Sequence, residues 1–195
     1  MSRNTVKCML VGDSTVGKTC LLTSYTCKEF PTRYIPRAFG GHAETVMVGD
    51  VPYTLGVSDT IGPLPGSGTI EYDRVRPLSY AHSDVFLICF SVGIPGSFES
   101  VREKWFPEPQ RHCPSVPCIV AATQVDLRDD KTGGSAITTA QGERLARELK
   151  AAAYVECSTK TREGVQRTFD AVVAASVKYQ QGPLVERKKE KCIVV

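Results

Sequence analysis

The octapeptide Gly12-Asp13-Ser14-Thr15-Val16-Gly17-Lys18-Thr19 constrains this chain more than any other segment. It satisfies GxxxxGK[ST], follows directly on an apolar run of strand length (Val6 to Val11), and opens an amphipathic stretch beginning Cys20-Leu21-Leu22. Each residue type has a physical task. The glycines let backbone amides curl around phosphate oxygens, the following helix presents its positive end, Lys18 reaches the outer phosphates, and the Thr19 hydroxyl can ligate Mg²⁺. The alternative is a chance glycine-rich turn, and the placement between a strand and a helix argues against it. Residues Gly12 to Cys20 are therefore expected to bind a nucleotide's phosphates. ATP and GTP stay equally open at this point, because kinases and ATPases share the motif.

Short apolar runs recur along the chain: Val6 to Val11, Ala43 to Val48, Tyr53 to Ser58, Val85 to Ser91, Cys118 to Thr123 and Tyr154 to Cys157. Between several of them the apolar spacing turns helical. Val165, Phe169, Val172, Val173 and Val177 approximate one face, and Phe98, Val101 and Trp105 begin another. Strands alternating with helices, with nearly continuous Val, Ile and Leu in the strands, predict an α/β fold of the P-loop NTPase type: an open, mostly parallel six-stranded sheet with helices on both faces. Such sheets bind ligands beyond the carboxyl ends of their strands. Pro31 to His42, Ile61 to Glu71 and Asp129 to Ala136 lack periodicity and are expected to be loops.

The 195 residues, 42% of them hydrophobic, suffice for one domain, expected over residues 1–178. From Tyr179 onward Gln, Gly, Pro and charge replace the apolar periodicity, which predicts a flexible basic tail over 179–195. The net charge of +3 is small and interspersed, so a nucleic-acid partner is not expected. The eight cysteines form no CxxC pair and lie mostly in apolar runs, as reduced core residues would. With no leader and no apolar run of membrane-spanning length, residence in the cytosol is expected.

Further motifs follow the octapeptide in order. Val57-Ser58-Asp59-Thr60-Ile61-Gly62 resembles the DxxG segment of small GTPases, Thr123-Gln124-Val125-Asp126 resembles their guanine motif in its TQxD form, and Cys157-Ser158-Thr159-Lys160 resembles their SAK loop. With Tyr72-Asp73-Arg74-Val75-Arg76-Pro77-Leu78-Ser79-Tyr80 and the C-terminal Cys192-Ile193-Val194-Val195, the chain resembles the Rho family of small GTPases, in its Cdc and Rac branch, almost end to end. The chemistry agrees. A carboxylate at Asp126 can accept from both N1 and the exocyclic N2 of guanine, a pairing adenine cannot offer; a helix cap or turn acid is the alternative for this residue.

The resemblance implies GTP or GDP with Mg²⁺, the metal held by Thr19 and by Asp59, with the Gly62 amide at the γ-phosphate. It places Gln124 along the base, Thr123 beside it, Ser158 to Lys160 on the carbonyl side, and Phe30 against the ring. For Asp59 a solvated strand-end acid is the alternative. It also implies exchange factors, a GDP-dissociation inhibitor and effectors of the Rho type, acting on a monomer that signals to cytoskeleton and polarity partners.

Four departures stand out. Arg37 stands where the family places a metal-ligating threonine, and Gly40-Gly41-His42 replaces bulkier effector-facing residues. Pro63 stands where a glutamine orients the attacking water, leaving hydrolysis expected to be weak and no catalytic residue assignable, although Glu71 could swing in. The loop after Pro63 is about six residues longer than usual, either an insertion in the protein or an intron kept in frame. Ser14 occupies a position usually glycine, and the Lys131 to Ala136 segment is shorter than the helical insert of many Rho proteins.

At the end of the chain, Cys192 with two aliphatics and a terminal residue is the prenylation pattern, with Arg187, Lys188, Lys189 and Lys191 as a second, electrostatic signal. Basic residues near an anionic leaflet add about 1 kcal/mol each. The expected location is the cytoplasmic face of the plasma membrane, with a cytosolic pool.

Overall fold

The computed structural model describes residues 4–31, 41–60, 76–129 and 136–182. Expectations for Arg37, Gly62, Pro63, Glu71, the Lys131–Ser135 stretch and the tail from residue 183, Cys192 included, lie outside the described residues.

Six strands, β1 (Thr5–Gly12), β2 (Gly41–Val48), β3 (Val51–Asp59), β4 (Val85–Ser91), β5 (Cys118–Thr123) and β6 (Ala153–Glu156), form one sheet in the order β2-β3-β1-β4-β5-β6. Every neighbouring pair is parallel except β2 with β3, which is antiparallel. The expected fold class is observed.

Strand alternation explains why the sheet needs helices on both faces. Along β1, Val6, Cys8 and Leu10 join Leu55, Val57, Leu87 and Cys89 in a core closed by Leu21, Leu22 and Tyr25 of α1 (Lys18–Cys27) and by Phe169, Val172 and Val173 of α5 (Val165–Gln181). Met9 and Val11 point the other way, into a second core with Phe86, Ile88, Phe90, Val101, Trp105 and Leu145. Tyr25 stacks on Phe169 with ring centroids 3.9 Å apart, fastening the two helices of the first face together.

The second face is covered by α2 (Pro95–Ser100), a π-helical turn (Val101–Trp105), α3 (Pro107–His112) and α4 (Thr139–Glu148). Pro107 and Pro109 cannot donate into a regular ladder and their rings crowd the preceding turn, and the chain widens just before them, with Phe106 N bonding Val101 O at 2.9 Å. α4 starts on a reciprocal cap in which Thr138 Oγ1 accepts from Gln141 N and the Gln141 side chain accepts from Thr138 N.

Two expectations need correction. Gly41 and His42 are not loop: they pair with Ser58 and Val57 as the first residues of β2, because an antiparallel partner recruits any residue able to extend. Cys27 is exposed rather than core, whereas Cys8, Cys89, Cys118 and Cys157 are buried thiols. α5 runs through Gln181, past residue 178, and Gln180 Nε2 donates to Thr5 O at 2.7 Å. Among the described residues no helix is long and apolar enough to cross a membrane.

Candidate functional site

The strand registers align Gly12 with Cys89, Leu10 with Asp59, Ser91 with Thr123, and Ala122 with Glu156. The carboxyl ends of β1, β3, β4, β5 and β6 thus meet at one edge, where the motif residues gather.

Gly12 has φ 145°, and a Cβ there would lie 2.3 Å from the Cys89 carbonyl oxygen, so only glycine lets the loop leave β1 this close to β4. Thr15 and Gly17 also have positive φ, curling the backbone before α1 starts at Lys18. Val16 is fully buried beneath the loop. Lys18 is buried, and its Nζ donates to Gly12 O at 3.0 Å and Asp13 O at 2.7 Å, which holds the ammonium across the mouth of its own loop. Ser14 accepts from the Thr15 hydroxyl through its carbonyl at 2.6 Å.

Thr19 Oγ1 donates to Asp59 Oδ2, joining the first turn of α1 to the end of β3. Asp59 is 7% exposed, so the solvated strand-end alternative does not hold. Burial pushes its carboxyl above the ordinary range, partly offset by the Thr19 hydroxyl and the Lys18 ammonium. Its other oxygen, Oδ1, is buried and accepts no hydrogen bond among the described residues. A buried acceptor with nothing to accept costs free energy unless something positive is bound there. A hard oxygen pair of hydroxyl and carboxylate with one free lone-pair set suits Mg²⁺, which takes few protein ligands and completes its shell with phosphates and water. The residues present therefore fit the metal. Among the described residues no group of three or more His, Cys, Asp or Glu offers a fully protein-built site. Cys20 lies next to this pair, half-buried, its thiol pushed up by burial and by Asp59.

The other end of the candidate site is built from two loops. Thr123 Oγ1 donates to Val16 O at 2.6 Å and lies 2.9 Å from Phe90 O, tying the end of β5 to the phosphate loop. Gln124, at φ 57°, accepts from Ser91 Oγ at 2.5 Å and donates to Thr15 O at 3.4 Å. Asp126 lies in a 3-10 turn (Val125–Arg128), yet its carboxylate does not cap that turn. Oδ1 accepts from Ser158 Oγ at 2.5 Å and Oδ2 faces Lys160 Nζ at 3.9 Å. Ser158 is fully buried, Thr159 nearly so, and the Lys160 side chain is exposed. Phe30 is exposed, a large apolar ring free to meet a flat ligand.

Sequence reasoning missed three supports. Trp105 donates its indole N–H to Asp13 Oδ1 at 2.8 Å, Ser91 holds Gln124, and Arg76 forms a buried bidentate pair with Glu108. Trp105 was legible only as an apolar helix-face residue. A donor on the far edge of the ring leaves no trace in periodicity.

The preformed phosphate loop, the Thr19–Asp59 pair and the Asp126–Ser158 contact thus share one sheet edge, as a guanine-nucleotide site requires. The Ras family model matches residues 7–178, nearly the whole chain, and its span runs from β1 through most of α5. The chain belongs to the Ras family of small GTPases.

Proposed function

We propose that this chain is a Rho-type small GTPase which binds GTP or GDP with Mg²⁺, hydrolyses GTP slowly, and acts at the cytoplasmic face of the plasma membrane. The observation that carries the nucleotide reading is Asp126: buried Ser158 fixes one carboxylate oxygen at 2.5 Å, and the residue stands on the same sheet edge as the phosphate loop. In this reading Lys18 meets the outer phosphates, Thr19 and Asp59 hold the metal, Asp126 selects guanine with Gln124 and Ser158 to Lys160 beside it, and Phe30 packs on the base. Bound Mg²⁺ supplies neutralisation of the phosphate charge. The Rho assignment rests on the TQxD form of the guanine motif, the Tyr72 to Tyr80 segment and the Cys192 box. Prenylation of Cys192 and the adjacent basic residues give the tether, and exchange factors, a dissociation inhibitor and effectors of the Rho type are the expected protein partners.

Slow hydrolysis follows from Pro63 and Ser14, since proline has no amide to orient water and any side chain at Ser14 crowds it. Chromatography of the nucleotide released from purified protein should yield GDP or GTP, and its absence with Mg²⁺ supplied would overturn the reading. Single-turnover GTP cleavage should respond little to a Rho-type activator; robust stimulation removes the slow-hydrolysis claim.

A second reading, a non-cycling module that holds nucleotide without switching, is favoured by Arg37, which cannot ligate a metal as threonine does. Identical protection of residues 32–40 from exchange with GDP and with a GTP analogue supports it, and a state-dependent difference excludes it.

A further inference from the structure

The two loops that hold Asp126 and Ser158 come from different strands, and what registers one against the other is an ion-pair cluster behind the base site. Arg128, two residues after Asp126 on the same 3-10 turn, donates from Nη1 to Glu156 Oε2 at 2.8 Å and from Nη2 to Glu156 Oε1 at 2.7 Å. Glu156 is the last residue of β6 and stands two residues before Ser158. The same guanidinium donates from Nε to Ile137 O at 2.8 Å and contacts Thr139 Oγ1 at 3.1 Å, drawing in the start of α4.

Glu156 is saturated with donors. Tyr154 Oη donates to Oε1 at 2.6 Å and Thr139 Oγ1 lies 3.2 Å from Oε2. Room for the tyrosine hydroxyl comes from Gly142, where a Cβ would fall 2.1 Å from Tyr154 Oη. A planar fork against a carboxylate fixes direction as well as distance, which a lysine would not do. Within the site the loops touch at Ser158–Asp126 and at Val125 N to Cys157 O, the latter a long 3.3 Å. The Arg128–Glu156 fork is thus the one bidentate contact among the described residues between the segments that carry the two base-site residues.

We infer that Arg128 and Glu156 are positioning residues for base selection: they touch no nucleotide, but their fork sets the distance between the Asp126 turn and the Ser158 loop and so aims the Asp126 carboxylate. The inference rests on Asp126 reading guanine, and inosine diphosphate separates the two claims. Hypoxanthine keeps N1–H and lacks the exocyclic amino group, so the ratio of GDP to IDP affinity reports on Asp126 alone. General loosening of the fold weakens both ligands equally and leaves that ratio unmoved.

The test measures GDP and IDP affinity, with Mg²⁺, for the full chain and for Glu156→Gln, Arg128→Met and Tyr154→Phe. The wild type should prefer GDP. Glu156→Gln and Arg128→Met should each lower that preference about five- to tenfold, chiefly through weaker GDP binding, and Tyr154→Phe by a smaller factor. Equal losses for both ligands in all three variants, with the preference intact, would overturn the inference and leave Asp126 reading guanine. A wild type without preference for GDP would overturn the guanine reading itself. Glu156→Gln is isosteric and three-quarters buried; if it fails to fold, Tyr154→Phe, which removes one hydroxyl only, still decides the matter.

Discussion

Trp105 Nε1 donates to Asp13 Oδ1 at 2.8 Å, so a fully buried indole on the second face of the sheet is fastened to the phosphate loop. The same Asp13 offers its carbonyl to Lys18 Nζ at 2.7 Å. One residue therefore links the position of a helix to the lysine proposed to meet phosphate. Asp13→Ala leaves the indole N–H without its acceptor and should cost about 1–3 kcal/mol in chemical denaturation. Combined with Trp105→Phe, the two losses should fall short of additivity by about 1 kcal/mol. Strict additivity in the double-mutant cycle would show that the bond carries no coupling.

Glu108 supports Arg76, whose side chain is 1% exposed: Nε donates to Oε1 at 2.9 Å and Nη2 to Oε2 at 2.5 Å, while Tyr80 Oη donates to Oε1 at 2.5 Å. The Arg76 guanidinium also lies 4.7 Å from the Trp105 ring centre. Glu108→Ala strips three hydrogen bonds from the buried Arg76 guanidinium and the Tyr80 hydroxyl, so it should lose about 3 kcal/mol in urea denaturation. A loss below about 1 kcal/mol, the range of surface pairs, would contradict the buried-pair account.

Asp59 gives the pH dependence. Its folded pKa is raised above the ordinary 3.8 by burial, so only between the unfolded and folded values does the folded protein hold a proton that the unfolded chain has released. Its contribution to stability is present below the unfolded pKa and is lost as pH rises through the folded one. Without nucleotide and Mg²⁺, Asp59→Asn should lose less stability than the wild type as pH rises from about 4 through that window. With nucleotide present the order should reverse, because in the proposed site the carboxylate holds the metal. Chelation should speed GDP release from the wild type by at least about tenfold and change release from Asp59→Asn little. A variant that responds to chelation like the wild type would remove Asp59 from the metal site.

Gly12→Ala places a methyl group 2.3 Å from the Cys89 carbonyl oxygen at a φ that L-residues rarely adopt. Backbone must shift on both strands, and a loss of about 2–4 kcal/mol in thermal or chemical denaturation is expected, together with loss of nucleotide retention. Gly49 makes the control: its φ is also positive, yet a Cβ there meets nothing, so Gly49→Ala should cost less.

The strands were legible because β4 and β5 are buried along their whole length and appear as unbroken apolar runs. The apolar run that marks β2 begins only at Ala43, because Gly41 and His42 are extended by pairing with β3 and carry no pattern of their own. The GxxxxGK[ST] loop, Asp59 and Asp126 were legible as motifs because each belongs to a short contiguous segment. The fork from Arg128 to Glu156 and the bond from Trp105 to Asp13 were not. They join residues 28 and 92 positions apart, and such a pairing exists only after the sheet has brought their strands together.

Thr60 and Arg76 are two fixed posts. Thr60 bonds Leu10 O through both its hydroxyl, at 2.6 Å, and its amide, at 3.3 Å, and Arg76 is locked between Glu108 and Trp105. The fifteen residues numbered 61 to 75 begin and end on anchors that belong to the sheet and its helices. Closing a span between set endpoints grows only logarithmically harder with its length, about 0.6 kcal/mol for each doubling. The two anchors thus hold the scaffold independently of what joins them: a span that closes as a flexible chain could gain or lose several residues between Thr60 and Arg76 at well under about 1 kcal/mol, whereas loss of either anchor would reach the sheet or its helices directly.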